Sequence, residues 1–240
     1  MLCGSPPPNA VPPSEREISP EPFNVITATG RPPALPARPP SLSGACRSRV
    51  HASAPVGPFT CSDDLSFAPL DALLEQATSR RALALVLVGP FVEADHPALA
   101  AAEVGYEDLF EQRVMLKVEA FLAAAAEAYP HAPPHVVLVP SPRDVLASPV
   151  YPQPPLPRRR SPEQIAPLLH LAPNPAAIDV GGVRIAVGSL DALLMIGSAE
   201  LASAPQPGAP RPDRLLRLAS HVLQQRSFLP LLPPPADLPV

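Results

Sequence analysis

HVVLVPSPRDVLASPVYPQPPLP, His135 to Pro157, is the stretch whose reading decides the fold. Val136, Val137, Leu138 and Val139 form a short continuous apolar run, rich in β-branched residues and closed by Pro140. A run of that length and composition predicts a strand buried on both faces. Ser141, Pro142, Arg143 and Asp144 follow in a loop that proline keeps out of any helix. In an open α/β sheet the crevice beyond the carboxyl end of a strand is where ligands bind. The loop therefore occupies an active-site position, yet it offers mostly proline, one arginine and one aspartate.

The flanking segments supply the rest of a sheet. Upstream, VGPFTCSDDLSF (56–67) reads as the end of a strand and a loop, with Asp64 or Ser66 as candidate cap. Pro69 suits the first turn of a helix carrying Leu70, Leu73, Leu74 and Ala77 at helical spacing, closed by Arg80 and Arg81. Leu83 to Val88 is a second buried-type strand. Tyr106 to Tyr129 is the longest predicted helix, with Phe110, Val114, Val118, Phe121, Leu122 and Ala125 on one stripe and Pro130 as its stop. The order strand, helix, strand, helix, strand predicts an α/β fold: a largely parallel sheet with helices on its faces. Downstream, Ile178 and Val180 alternate toward Gly181-Gly182, and Val183, Ile185 and Val187 alternate away, which is the pattern of a β-hairpin. Ser189 is placed to cap a short helix through Leu190, Leu193 and Leu194. Asp213 is placed to cap a last helix with Leu215, Leu216, Ala219, Val222 and Leu223 on one side.

Composition limits the function classes. Hydrophobic residues make up 46% of the 240-residue chain, enough for a packed core. Forty prolines exceed what helices and strands tolerate and must concentrate in loops and tails. A net charge of -4 gives no overall electrostatic footprint for nucleic acid or an anionic membrane. Cys3, Cys46 and Cys61 share no metal-ligand spacing and imply reduced thiols. No apolar run approaches the roughly 20 residues that span a bilayer, and the N-terminus lacks the apolar core of a secretory signal. The expectation is a soluble intracellular protein. Residues 1–22 read as a disordered proline-rich tail, 23–31 (FNVITATGR) as a short β-like piece, and 32–54 as a Pro/Ala/Ser-rich linker.

Five blocks, VGPFTCSDDLSFAPLDALL (56–74), LVGPFVEADHP (87–97), VLVPSPRDVLASPVYPQPP (137–155), IDVGGVRIAVGSLDALL (178–194) and LASHVLQQRSFLPL (218–231), resemble in that order the family of second, non-catalytic B subunits of the eukaryotic DNA polymerase α–primase complex. The most specific are the PSxRDV…PVYPQPP block, Pro140 to Pro155, and the QRSFxPL block, Gln225 to Leu231; both favour α over the related subunits of polymerases δ and ε. The resemblance implies a calcineurin-like phosphoesterase-type domain over 55–240, with flanking helices, inactivated and incomplete at its C-terminus, preceded by a remnant of an OB domain at 23–31. It implies proline-rich insertions near 152–163 and 203–212, and a chain that is a fragment or a truncated product.

Active phosphoesterases of that fold hold two metals with Asp, His and Asn at strand ends. Their GDxxD segment corresponds to Gly89, Pro90, Phe91, Val92 and Glu93, so Pro90 stands where a bridging aspartate would be. Their GNHD segment corresponds to Ser141, Pro142, Arg143 and Asp144, with proline and a fixed cation at two ligand positions. The later histidine falls on Ala186 or Val187. Asp63, Asp64 and Asp144 survive, too few for a binuclear site. The resemblance thus implies no enzyme, no catalytic or metal residues and no cofactor. It implies an accessory scaffold in the nucleus that tethers the C-terminal module of the polymerase α catalytic subunit, alongside the primase subunits, in initiation of replication, with DNA contacted at most indirectly and no membrane. The other readings are a metal-dependent phosphodiesterase with divergent ligands, and a truncated product without stable function.

Other constellations carry less. His131 and His135 have helical metal-pair spacing, but Pro133 and Pro134 separate them. Ser141, His135 and Asp144 are the residue types of a hydrolase triad without a strand–elbow–helix context. Arg158 to Arg160 reads as a solvated loop in a proline-rich linker, the alternative being a nuclear-import or phosphate-binding cluster. VYPQPPLP (150–157) has the composition of a polyproline-type adaptor ligand, whereas the family resemblance implies a docked surface segment of the domain itself. Arg143 and Asp144 are expected to form an ion pair that organises the loop in place of a metal.

Overall fold

The computed structural model describes residues 24–26, 52–101, 105–157, 161–180, 183–201, 213–236 and 238. The tail 1–22, most of the linker 32–54, Gly181-Gly182, Arg158–Arg160, and the insertion at 203–212 lie outside the described residues.

Four strands form one parallel sheet in the order β2 (Ala52–Ser53), β3 (Ala84–Val88), β4 (His135–Val139), β5 (Leu169–Leu171). β3 and β4 run side by side with Leu85 opposite Val136 and Leu87 opposite Leu138. Both are central and apolar on both faces, as the continuous run predicts, because each face meets a different layer. Leu85, Leu87, Val136, Leu138 and Leu169 point into a core shared with the helices. Val86, Val88, Val137 and Val139 point the other way, against a second sheet.

That second layer corrects the expectation of helices on both faces. It is a three-stranded antiparallel sheet, β1 (Asn24–Ile26), β6 (Ala176–Val180), β7 (Val183–Val187) in the order β1-β6-β7. β6 and β7 are the predicted hairpin, with Ile178 opposite Ile185. Ala176, Ile178, Val180 and Val187 face the parallel sheet, while the intervening residues are more exposed, which is the period-two alternation of a half-buried sheet. Within the short β-like piece at 23–31, Asn24–Ile26 is a strand paired to β6, so those three residues extend the second sheet.

Helices cover the opposite face. α1 (Ala68–Ser79) buries Leu70, Leu74 and Ala77. Its N-cap is Phe67, in the left-handed region at φ 59°, rather than Asp64 or Ser66. Those two act one step earlier: Asp64 accepts from the Ser66 N–H at 3.0 Å and hydroxyl at 2.7 Å, and Ser66 Oγ accepts from Ala68 N–H at 3.4 Å. α2 (Tyr106–Phe110), a π-helical turn (Glu111–Met115) and α3 (Leu116–Ala128) follow one another as the predicted long helix. All six predicted stripe residues are buried. The wider turn adds Met115 beside Val114 on the same buried side, the side-chain spacing that a π-turn permits. Lys117 joins α3 to α1 through an ion pair with Asp71 and a 3.1 Å bond to the Ser66 carbonyl.

The last two helices follow the sequence in part. α4 (Ala192–Ser198) is capped by Asp191, which accepts from Leu194 N–H at 2.9 Å; Ser189 instead bonds Asn174. α5 (Arg214–Gln225) is capped by Asp213 as predicted, accepting from Leu216 N–H at 3.0 Å. The apolar side read from its spacing is largely exposed. Leu218 is the buried residue of α5, while Leu216 is 67% and Leu223 77% exposed. Glu200 fastens α5 to the end of α4 through Arg214 and Arg217, and these bonds hold its carboxyl below the ordinary range. No described helix is long and apolar enough to cross a membrane.

Candidate functional site

The loops that leave β3 and β4 meet at the carboxyl ends of the two central strands. Gly89 N–H donates to the Val139 carbonyl at 2.9 Å, which continues the ladder one step past the strands. Beyond it, Ala94 N–H donates to the Arg143 carbonyl at 2.9 Å and Val145 N–H to the Val92 carbonyl at 2.9 Å. Glu93 and Asp144 therefore form an antiparallel bridge. A strand-end crevice is closed by backbone pairing.

Asp144 stands at the centre of that junction. Its Oδ1 accepts from the N–H groups of Phe91 and Val92, the latter at 3.1 Å, and its Oδ2 accepts from Ser141 N–H at 2.8 Å. The residue is 5% exposed. Burial pushes its carboxyl up to about 6, against the pull of the three N–H groups. Gly89 is what lets the carboxylate in: a Cβ there would collide with Asp144 Oδ2 and come within 3.0 Å of Ser141 N. Phe91 carries the junction into the core, packing against Phe59 at 5.4 Å and edge-on to Phe110 at 5.9 Å between ring centroids.

Arg143 does not pair with Asp144, which corrects the expected ion pair. It pairs with Glu93 on the facing loop, with its own side chain 64% exposed. Asp144 points inward to backbone donors because consecutive residues in this tight turn, with Asp144 N–H bonded to Ser141 O at 3.0 Å, diverge in direction.

The remaining candidates are dispersed. Ser141 is buried at the end of β4, whereas His135 begins that strand, roughly 20 Å away at the rise of an extended chain; the triad does not assemble. His135 lies against His170 of the neighbouring strand, Nδ1 to Nε2 at 3.1 Å, and His131 sits exposed in the turn before β4. Asp64 is held below the ordinary carboxylate range by its bonds to Ser66. Among the described residues no group of three or more His, Cys, Asp or Glu side chains lies close enough to hold a metal ion. Pro90 and Pro142 bring no side-chain donor, Arg143 brings a cation, and both Asp144 oxygens already accept from backbone. These residues do not fit a binuclear centre.

Two positions escaped sequence reading. His96 is buried, with Nδ1 accepting from Ala98 N–H at 3.1 Å and Nε2 facing the Cys61 carbonyl at 2.7 Å. It ties the loop after β3 to the segment before α1. Asn174 is 0% exposed. Its Nδ2 donates to Gln153 Oε1 and Ser189 Oγ, both at 2.7 Å, and its Oδ1 accepts from Ser189 N–H at 3.0 Å. The backbones of Gln153 and Asn174 also exchange hydrogen bonds, at 2.8 and 3.0 Å. The VYPQPP segment is thus stapled to the domain through Gln153, as a docked surface segment should be. The one local signal was a polar amide set among prolines.

The raised Asp144 carboxyl has a testable consequence. A carboxyl whose folded pKa is about 6 instead of 3.8 binds its proton more tightly folded than unfolded between those values. Wild type therefore gains stability relative to Asp144→Asn as pH falls from 7 toward 4, by up to about 3 kcal/mol, and loses it as pH rises again. Urea midpoints of both proteins at pH 7 and 4.5 measure this; a pH-independent difference would refute it.

Comparison with known proteins follows the same blocks. Residues 55–240 match the family model described as the DNA polymerase alpha/epsilon B subunit. The chain is 32% identical over 186 residues to the DNA polymerase alpha B subunit of Rattus norvegicus, covering 77% of this chain and 29% of that protein. It is 33% identical over 178 residues to the DNA polymerase alpha B subunit of Drosophila melanogaster, covering 74% and 26%. The Saccharomyces cerevisiae protein of the same name is 24% identical over 182 residues. The chain thus spans less than a third of the length of the curated relatives it matches. With the match running through both strand-end loops, the VYPQPP staple and α5, the chain belongs to the family of DNA polymerase alpha/epsilon B subunits.

Proposed function

We propose that this chain is a catalytically silent, phosphoesterase-like module of a DNA polymerase α B subunit, acting in the nucleus as an accessory scaffold. Residues 55–240 form that module and 23–31 are the trace of a preceding OB domain. Its work is to tether the C-terminal module of the polymerase α catalytic subunit, with the primase subunits in the same assembly, when replication begins. The mechanism is burial of complementary surface, with no bond made or broken.

The observation that carries this reading is the junction at Asp144. A strand-end crevice built for chemistry leaves carboxylate lone pairs free for metal, whereas here both oxygens accept from Phe91, Val92 and Ser141 N–H groups. Family membership supplies the assembly: the named relatives are DNA polymerase alpha B subunits. The test is co-purification of the tagged full chain with the polymerase α catalytic subunit and primase. Recovery of the catalytic subunit is expected. Failure to recover it, or Mn²⁺-dependent turnover of a nitrophenyl phosphodiester by the purified chain, would overturn the reading.

A further inference from the structure

Three backbone N–H groups converge at the strand-end junction from two loops. Phe91 and Val92, after β3, both donate to Asp144 Oδ1, the latter at 3.1 Å, and Ser141, after β4, donates to Oδ2 at 2.8 Å. Donors divided between two oxygens in this way match a planar carboxylate. Converging N–H groups carry partial positive charge and make anion-binding concavities. Arg143 pairs with Glu93 instead, which leaves recognition of the carboxylate to the backbone. The wall of the concavity is Gly89. A Cβ there would overlap Asp144 Oδ2 and come within 3.0 Å of Ser141 N and 3.1 Å of Ser141 Cβ, so the carboxylate has its space only because residue 89 has no side chain.

We propose that the N–H groups of Phe91, Val92 and Ser141 form a carboxylate-binding site in which Asp144 is a tethered ligand, and that the site takes free formate or acetate once the tether is removed. Donor number and direction select that ligand. Chloride offers one centre to donors aimed at two oxygens, and a neutral amide sets an N–H against one of them. Asp144→Gly deletes a group the size of acetate. The donors stay in place, because Gly89 N–H remains bonded to the Val139 carbonyl and the loops remain paired through Ala94 N–H to Arg143 O and Val145 N–H to Val92 O. Burial disfavours the charge that the three N–H groups favour, so a free anion binds weakly, in the millimolar range. In the wild type the site is filled by the chain's own carboxylate, and the crevice offers no anion subsite to a phosphate group.

This goes beyond the accessory reading and does not rest on it: polymerase recovery and anion binding can each succeed or fail alone. The experiment uses the full chain at pH 7 as wild type, Asp144→Gly and the double variant Gly89→Ala/Asp144→Gly. Urea unfolding is followed against sodium formate, with sodium chloride at matched ionic strength as reference. For Asp144→Gly the folded-to-unfolded ratio at fixed urea is expected to rise about tenfold for each tenfold increase in formate above its dissociation constant, and acetate is expected to act likewise. The wild type is expected not to respond, because its own carboxylate holds the site. The double variant is expected not to respond, because the added methyl fills the space. Formate is also expected to shift the amide resonances of Phe91, Val92 and Ser141 in Asp144→Gly, and inorganic phosphate to leave them unmoved in the wild type. Asp144→Ser keeps one acceptor in the turn and carries the test if Asp144→Gly does not fold; folding in formate but not in chloride is the expected result in another form. Equal responses to formate and chloride, which would put water in the site, would overturn the proposal. So would an equal response of the wild type, a response that survives Gly89→Ala, movement of the wild-type amides by phosphate, or failure of both single variants to fold in formate.

Discussion

Replacing Asp144 by alanine is expected to cost about 3–5 kcal/mol of stability, the largest effect of any single polar substitution in the strand-end loops. The reason is the number of groups left behind. Asp144 satisfies three buried backbone N–H groups drawn from two loops that are far apart in sequence. Truncation strands all three, and each unmet donor costs about 1–3 kcal/mol unless water reaches it. The loss is offset in part by removal of a buried charge, whose burden the raised carboxyl pKa records. Asp144→Asn keeps the shape and one acceptor but turns an amide against a backbone donor, so a smaller loss is expected, about 1–2 kcal/mol. Arg143→Ala, which removes an exposed ion pair with Glu93, is expected to cost less than about 1 kcal/mol. Urea unfolding of the three variants at pH 7 gives the ranking. Alanine at 144 costing less than arginine's removal at 143 would show that the junction is held by something other than this carboxylate.

The same contrast shows how far the sequence could be read. The parallel strands were legible because Val136–Val139 and Ala84–Val88 are apolar on both faces, and only a strand covered on both sides tolerates that. The long helix was legible because Phe110, Val114, Val118 and Phe121 keep one stripe. What covered the second face was not legible. A hairpin such as β6–β7 shows its own alternation, but nothing in that alternation tells which other layer its apolar side meets. The cap of α4 was misplaced for a related reason. Ser189 and Asp191 are both good caps by residue type, and the choice between them was made by Asn174, which claims Ser189 through the fold.

The loop lies beyond the carboxyl end of β4, where the sequence put it, but its wiring differs from the expected one. Adjacent opposite charges at 143 and 144 invite an ion pair, yet a chain turning through Ser141–Asp144 sends neighbouring side chains to different sides. Arg143 found Glu93, and Asp144 found backbone. The apolar side of α5 was visible in the spacing of Leu215, Leu216, Ala219, Val222 and Leu223, but spacing gives only that a face exists. Whether the face is buried depends on a neighbour, and the structure leaves Leu216 and Leu223 open.

Asn174→Ala is the second substitution with a large expected effect, about 2–4 kcal/mol. The site is fully buried, so truncation leaves a small cavity and removes partners from Gln153 Oε1, Ser189 Oγ and Ser189 N–H at once. Gln153→Ala removes the other half of the staple, including the bond from its amide to the Ser148 carbonyl at 3.2 Å. Because the two buried side chains share one hydrogen bond, their effects are expected to be non-additive. The double variant should be more stable than the sum of the singles predicts by at least about 0.5–1 kcal/mol. Denaturant unfolding of the four proteins in the cycle measures this coupling. Additive losses would mean that Gln153 and Asn174 are each merely packed. A coupled loss would mean that VYPQPP is fixed to the domain through one amide pair, a rigid surface element presented by the fold rather than a free polyproline ligand.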